Sequence, residues 1–187
     1  MKTKSINIVR LLGVFGFFLI SLNSNTQDIK LSRQERKEVR KTQMTANFYA
    51  LDTLLDARCF VLEADYLQNR YGDRIPVVSN LNFIRVDRSN GILQTGSNFG
   101  SGYNGVGGVT AEGSIGSYEI SKDSKKLSHT LKFSILTQIG HYDIFMTVNA
   151  DNRASATITG LGPGKLTWDG QLKALYNSRV FKGQNTI

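Results

Sequence analysis

The chain has very little sulfur and few rigid or metal-binding residues. Its single cysteine, Cys59, excludes an internal disulfide, so the protein must hold together by packing alone, even in an oxidising compartment. Two prolines leave most backbone N–H groups free to join helices and sheets. With only His129 and His141, no convergent His/Cys ligand set is offered to a metal. No run of about 20 apolar residues is present, so the sequence contains no comfortable transmembrane helix.

The longest apolar stretch is LLGVFGFFLISL, from Leu11 to Leu22. Lys2, Lys4 and Arg10 precede it, and SNSNTQD follows. Charged, apolar and then small-polar is the order of a secretory signal, here residues 1–26, with cleavage expected near Ser24 or Thr26. No lipoprotein-type cysteine stands at that point. The expectation is an exported, periplasmic protein without a lipid anchor, and without a transmembrane helix once mature. Roughly 160 residues then remain, enough for one domain with a sizeable core.

The formal net charge of +8 falls to +5 once the signal is removed, with 20 basic residues against 15 acidic. Much of the excess lies between Lys30 and Lys41, a segment with no aromatic residue. Nucleic-acid binding calls for basic residues interleaved with aromatics across a surface. That partner class is therefore excluded, and the basic run reads first as a solvated helical face.

Residues 27–58 are expected to form a basic N-terminal helix. Ser32 followed by Glu35 fits a capping box. The first half, RQERKEVRKTQ, offers only Val39 as an apolar contact. The second half places Met44, Phe48, Leu51 and Leu55 at spacings of four, three and four, one face of a 3.6-residue period. The second half should pack on the body of the protein and the first should project.

From Phe60 the period changes to two. Candidate strands run over 60–66, 81–86, 91–95, 115–121, 127–138, 142–150, 154–159 and 165–168. Asn90-Gly91 and Asn104-Gly105 suit tight turns, and the segments around Asp123 and Asp151 read as polar turns. Gly140 divides two alternating runs, which predicts a hairpin. The fold class is mainly β: an N-terminal helix followed by an antiparallel barrel of about eight strands over residues 59–178, with a sandwich as the alternative and 179–187 as a C-terminal tail.

Several blocks resemble a known family. They are FVLEADYLQNRYGDRIPVVSNLNFIRVD, GSNFGSGYNGVGGVTAEGSIGSYEI, YDIFMTVNADNRASATITGLGPGKLTWDG and the closing SRVFKGQ. Together they resemble the bacterial envelope family called domain of unknown function 4251, over roughly residues 35–183. The resemblance implies an exported protein of Bacteroidota-type bacteria with a lipocalin-like barrel. It implies no activity and no catalytic residues.

Motifs that suggest chemistry have simpler readings. Gly100, Gly102 and Gly105 fit GxGxxG, but a dinucleotide site needs a helix to follow, and the next residues are strand-like. Gly162-Pro163-Gly164-Lys165 lacks the spacing of a phosphate loop. His129 and His141 would lie at opposite ends of the predicted hairpin, roughly 30 Å apart at ~3.3 Å per residue. His141 and Asp143 share a strand face. Glu63 and Asp65 read as solvent-facing strand residues, Cys59 as a small buried hydrophobe, and Trp168 as a core residue.

No nucleophile, metal set or carboxylate constellation stands out, so a non-enzymatic protein without cofactor is expected. Two functions remain open. One is binding of a small apolar ligand or lipid in the barrel, lined by Leu131, Phe133 and Ile135 on one strand or by Tyr142, Ile144, Met146 and Val148 on the next, with Phe99 and Tyr103 at the rim. The other is an interaction module with a filled barrel, meeting an envelope partner or an anionic surface.

Overall fold

The computed structural model describes residues 32–97, 104–160 and 164–186. The predicted signal peptide and the rim candidates Phe99 and Tyr103 lie outside them, as do Gly100, Gly102, Gly162 and Pro163.

Helix α1 spans Arg33–Asp56. The capping box forms as its residues require: the Ser32 N–H donates to Glu35 Oε2 at 2.7 Å, and the Glu35 N–H donates to Ser32 Oγ at 3.3 Å. Residues 33–43 are exposed throughout, while Phe48, Leu51 and Leu55 are buried. The helix therefore divides where its apolar stripe begins.

Nine strands follow among the described residues: β1 (Cys59–Gln68), β2 (Arg74–Pro76), β3 (Phe83–Asp87), β4 (Asn90–Gln94), β5 (Thr110–Asp123), β6 (Ser128–Thr137), β7 (Gly140–Asn149), β8 (Arg153–Thr159) and β9 (Leu166–Ala174). All pairings are antiparallel, and β9 returns to β1, closing an eight-strand barrel with β2 as a short flap on β1. The sandwich alternative falls, because a sandwich leaves edges where β1 and β9 here pair over Phe60–Gln68 and Thr167–Ala174.

Several details differ from the sequence reading. Asn90 and Gly91 open β4 and are not the turn. Asp87 pairs with Asn90, so the turn is Arg88-Ser89, with Arg88 at φ +57°. Gly91 instead faces the crowded interior: a Cβ there would lie 2.7 Å from Ile115 Cδ1. β2 was invisible to period-two reasoning because it is only three exposed residues. β9 runs six residues past Trp168, through Asp169-Gly170-Gln171, a polar stretch that breaks the apolar alternation.

The predicted polar turns form by one mechanism. Asp123 Oδ1 accepts the N–H groups of Lys125 and Lys126, both at 3.0 Å, and Asp151 Oδ1 accepts the Arg153 N–H at 3.1 Å. The β6–β7 hairpin pairs Thr137 with Gly140, as the glycine signal suggested.

The C-terminal tail is a strap on the outer wall. Leu175 and Val180 cover Val61, Phe83 and Ile92, a small second core outside the barrel. The Phe181 carbonyl accepts from Gln94 Nε2 at 2.8 Å, the Gly183 N–H donates to Gln94 Oε1 at 2.8 Å, and the Thr186 N–H donates to the Thr110 carbonyl at 2.9 Å. Glu112 holds the strap by ion pairing with Lys182 and by accepting from Asn185 Nδ2 at 2.9 Å. Glu63, expected to face solvent, lies buried at the strap's root. Its carboxylate accepts from Lys173 Nζ at 2.6 Å and Ser178 Oγ at 2.7 Å.

Candidate functional site

The barrel interior is the first place to look for a ligand. Both strand faces put forward from sequence point inward, because the hairpin register sets Leu131 opposite Met146, Phe133 opposite Ile144 and Ile135 opposite Tyr142. These side chains, with Val148, are buried in one continuous apolar cluster. Trp168, Ile158, Ala156 and Leu62 pack into the same cluster from neighbouring strands. The interior is therefore filled by side chains, the ordinary state of an eight-strand barrel. Trp168 is fully buried, and its indole N–H has no acceptor among the described residues.

One end of the barrel is closed by α1. Leu51 and Leu55 join the interior cluster. The Tyr118 hydroxyl donates to the Leu55 carbonyl at 2.8 Å, satisfying one of the carbonyls that a helix end leaves open. Burial pushes that phenol well above the usual tyrosine range. On the adjoining flank, Lys122 Nζ lies 2.6 Å from Asp52 Oδ1, and His129 Nε2 lies 3.3 Å from the same oxygen. The Lys122 ammonium, ahead of His129, holds the Asp52 carboxyl below its ordinary range.

The opposite flank of α1 does not seal. Between it, β9 and the 3-10 turn Leu175–Asn177 lies a groove of ≈ 750 Å³. Ala50, Leu51 and Leu54 of the helix and Ala57 at its C-terminal cap line it with Leu172 and Ala174 of β9. Tyr176 stands at the edge, and Asn47, Asn152 and Asn177 supply amides around it. Cys59, read from sequence as a small buried hydrophobe, also lines it, half-buried and free. A mostly apolar lining with a few amides is the usual composition of a small-molecule site.

Sequence reasoning missed this groove. The four-residue stripe Met44, Phe48, Leu51, Leu55 omitted Leu54 and Ala50, which lie about 100° to one side at the helical period. The doublet Leu54-Leu55 was the available signal, since it widens the apolar arc beyond what one contact face needs.

A second depression, of ≈ 440 Å³, lies on the outer wall beside β2. Its polar groups pair with each other: Arg74 with Asp169 at 3.2 Å, Ser155 Oγ donating to Asp169 Oδ1 at 2.7 Å, and the Arg74 guanidinium 3.9 Å from the Tyr66 ring centre. His141 and Asp143, the other polar pair noted in the sequence, sit exposed with Nε2 and Oδ1 3.1 Å apart. Of the GxGxxG glycines only Gly105 is described, and it occupies a turn at φ +72°. Asn104 builds that turn. Its Oδ1 accepts the N–H groups of Val106 and Gly108, and its Nδ2 donates to the Thr95 carbonyl.

No set of three or more His, Cys, Asp or Glu is arranged to hold a metal among the described residues. No helix among them is long and apolar enough to cross a membrane.

Known proteins agree with this architecture. The family model described as "Domain of unknown function (DUF4251)" matches residues 41–172, a narrower span than the 35–183 inferred from sequence blocks. The match starts at Lys41, near the end of the basic half of α1, and ends before the strap. A crystal structure of a DUF4251 family protein from Bacteroides eggerthii DSM 20697 is similar at 32% identity and a TM-score of 0.59, covering 72% of this chain and 91% of that one. No curated protein is significantly similar. With its barrel closed by β1 and β9 and more than two thirds of its length inside the family match, the chain belongs to the DUF4251 family.

Proposed function

We propose that this is an exported, non-enzymatic envelope protein that binds a small apolar ligand in the groove between α1 and β9. Export rests on the signal-type order of residues 1–26, which also supports a periplasmic location. The single observation that carries the binding site is the division of space. The barrel interior is occupied by its own side chains, while a ≈ 750 Å³ apolar groove stays open beside the helix. The barrel then acts as a rigid scaffold, and recognition happens where the helix meets it.

The test is equilibrium binding of Nile red, a neutral apolar dye, to wild type and to Ala50→Trp. Ala50 is exposed on the groove wall, so the indole fills the groove without disturbing the core. Saturable binding by wild type, weakened at least about tenfold in Ala50→Trp, is the expected result. Equal binding by both, or none by wild type, rejects the groove as the site.

A further inference from the structure

The groove has a polarity that its lining alone does not reveal. Leu54, Ala50, Asn47, Gln43, Arg40 and Arg36 follow one another at alternating spacings of four and three. At 3.6 residues per turn that is one continuous stripe along α1. Arg33 extends it, and Lys37 stands beside it. The stripe begins apolar inside the groove, passes through two amides at its mouth, and becomes cationic on the projecting half of the helix.

From this gradient we infer that the ligand is a single-chain amphiphile with an anionic head, its chain in the groove and its carboxylate or phosphate toward Arg40 and Lys37. The inference rests on the groove reading above and adds the ligand's charge.

Four further observations support it. Arg33, Lys37 and Arg40 are exposed and have no acidic partner among the described residues. The carboxylates of the helix are accounted for elsewhere or lie away from the stripe. Glu35 caps Ser32, Asp52 and Asp56 meet Lys122, and Glu38 is on the far side with Lys41, Thr42 and Thr45. One amide at the mouth is oriented as a donor too. Gln43 Nε2 donates to Asn47 Oδ1 at 3.0 Å, which leaves the Asn47 NH2 without an acceptor among the described residues. The one lysine in the groove lining, Lys173, is already neutralised by Glu63 at 2.6 Å, so the cationic field comes from the helix.

The dimensions agree. Asn47 to Leu54 covers ~10 Å of helix and Leu54 to Arg40 ~21 Å, at ~1.5 Å per residue. A medium-length alkyl chain fits the first distance, and its head then lies ~10 Å along the helix from Arg40, about one Debye length, within the field of the basic residues.

The test is a titration with four probes sharing one chain, each below its micelle concentration: dodecanoate, dodecyl phosphate, dodecan-1-ol and dodecyltrimethylammonium. Wild type is expected to bind both anions about tenfold or more tighter than the alcohol, with the cation weakest and the advantage shrinking in high salt. A preference for one anion identifies the head as carboxylate or phosphate. Lys37→Glu/Arg40→Glu, at exposed positions that leave the fold intact, should erase the anion advantage and leave the alcohol's affinity unchanged. If the alcohol binds as tightly as the anions, the charge inference is overturned and the apolar groove stands. If no probe binds, both are overturned.

Discussion

The His129 ring lies stacked on the Phe48 ring, with centroids 4.5 Å apart and planes inclined by 24°. One ring belongs to the barrel and the other to α1, so this contact is where the helix is fastened. His129 is fully buried, its Nε2 faces Asp52, and its Nδ1 has no partner among the described residues. The charged groups around it are Asp52 and Asp56 from the helix and Lys122 from β5.

This arrangement predicts an acid-sensitive clasp. Burial pushes the His129 pKa below its ordinary value of 6.5, against the opposing pull of Asp52. The unfolded chain therefore takes up the proton first as pH falls. Stability is fullest above about pH 6.5 and declines below it, until the folded state's own lowered pKa is passed. Asp52 stays ionised across that window because Lys122 lowers its pKa. Thermal unfolding at about pH 7.5 and about pH 5.5 should give a lower Tm at the acid value for wild type. The difference should shrink markedly in His129→Gln, and an unchanged difference would remove His129 as its cause.

The strap should matter more than its position at the chain end suggests. Ending the chain after Ser178 exposes Val61, Phe83 and Ile92 in part and strips the buried Gln94 amide of its bonds to Phe181 and Gly183, leaving it only the Leu81 carbonyl and the Thr110 hydroxyl. A loss of about 3 kcal/mol or more is expected in urea unfolding. Loss below about 0.5 kcal/mol would mean the second core adds little.

Glu112 sets the strap's pH range. Lys182 first, then Asn90 and Asn185, hold its pKa down to about 2. Its contribution is present above about 4.5, the ordinary value, and is lost as pH falls toward 2. At neutral pH, Glu112→Gln should loosen the strap and speed tryptic cleavage after Lys182 several-fold, with a stability cost of no more than about 1 kcal/mol. An unaltered cleavage rate would place the anchoring elsewhere.

Removing the projecting half-helix should have the opposite profile. A chain beginning at Thr42 loses no buried side chain of the helix, since residues 33–41 are all exposed. Its Tm should stay within about 2 °C of the parent, an interval worth only ~0.5 kcal/mol. A large drop would reveal packing by that segment.

The architecture was legible because burial imposes a period. Phe48, Leu51 and Leu55 repeat as a helix face, and Leu131 to Ile135 and Tyr142 to Val148 alternate as strands, so helix and barrel both showed through. Features with no period did not. β2 is too short, the polar segment of β9 is half-exposed, and Asn90-Gly91 looked like a turn because its glycine is required by Ile115 and Ile135 across the barrel interior. The buried state of Glu63 depends on Lys173 and Ser178, more than 100 residues away in the chain, which no local pattern reports. The groove was hidden for a similar reason. Its two walls, Leu54 and Leu172, meet only after the barrel closes.

The most direct test is methyl and amide chemical-shift mapping during a dodecanoate titration. Recognition at the helix–barrel groove predicts saturable shifts at Ala50, Leu54, Cys59 and Leu172, extending to Asn47, with Leu131, Ile144 and Met146 unmoved. Saturable shifts concentrated on Leu131, Ile144 and Met146 would place the ligand inside the barrel and contradict the account.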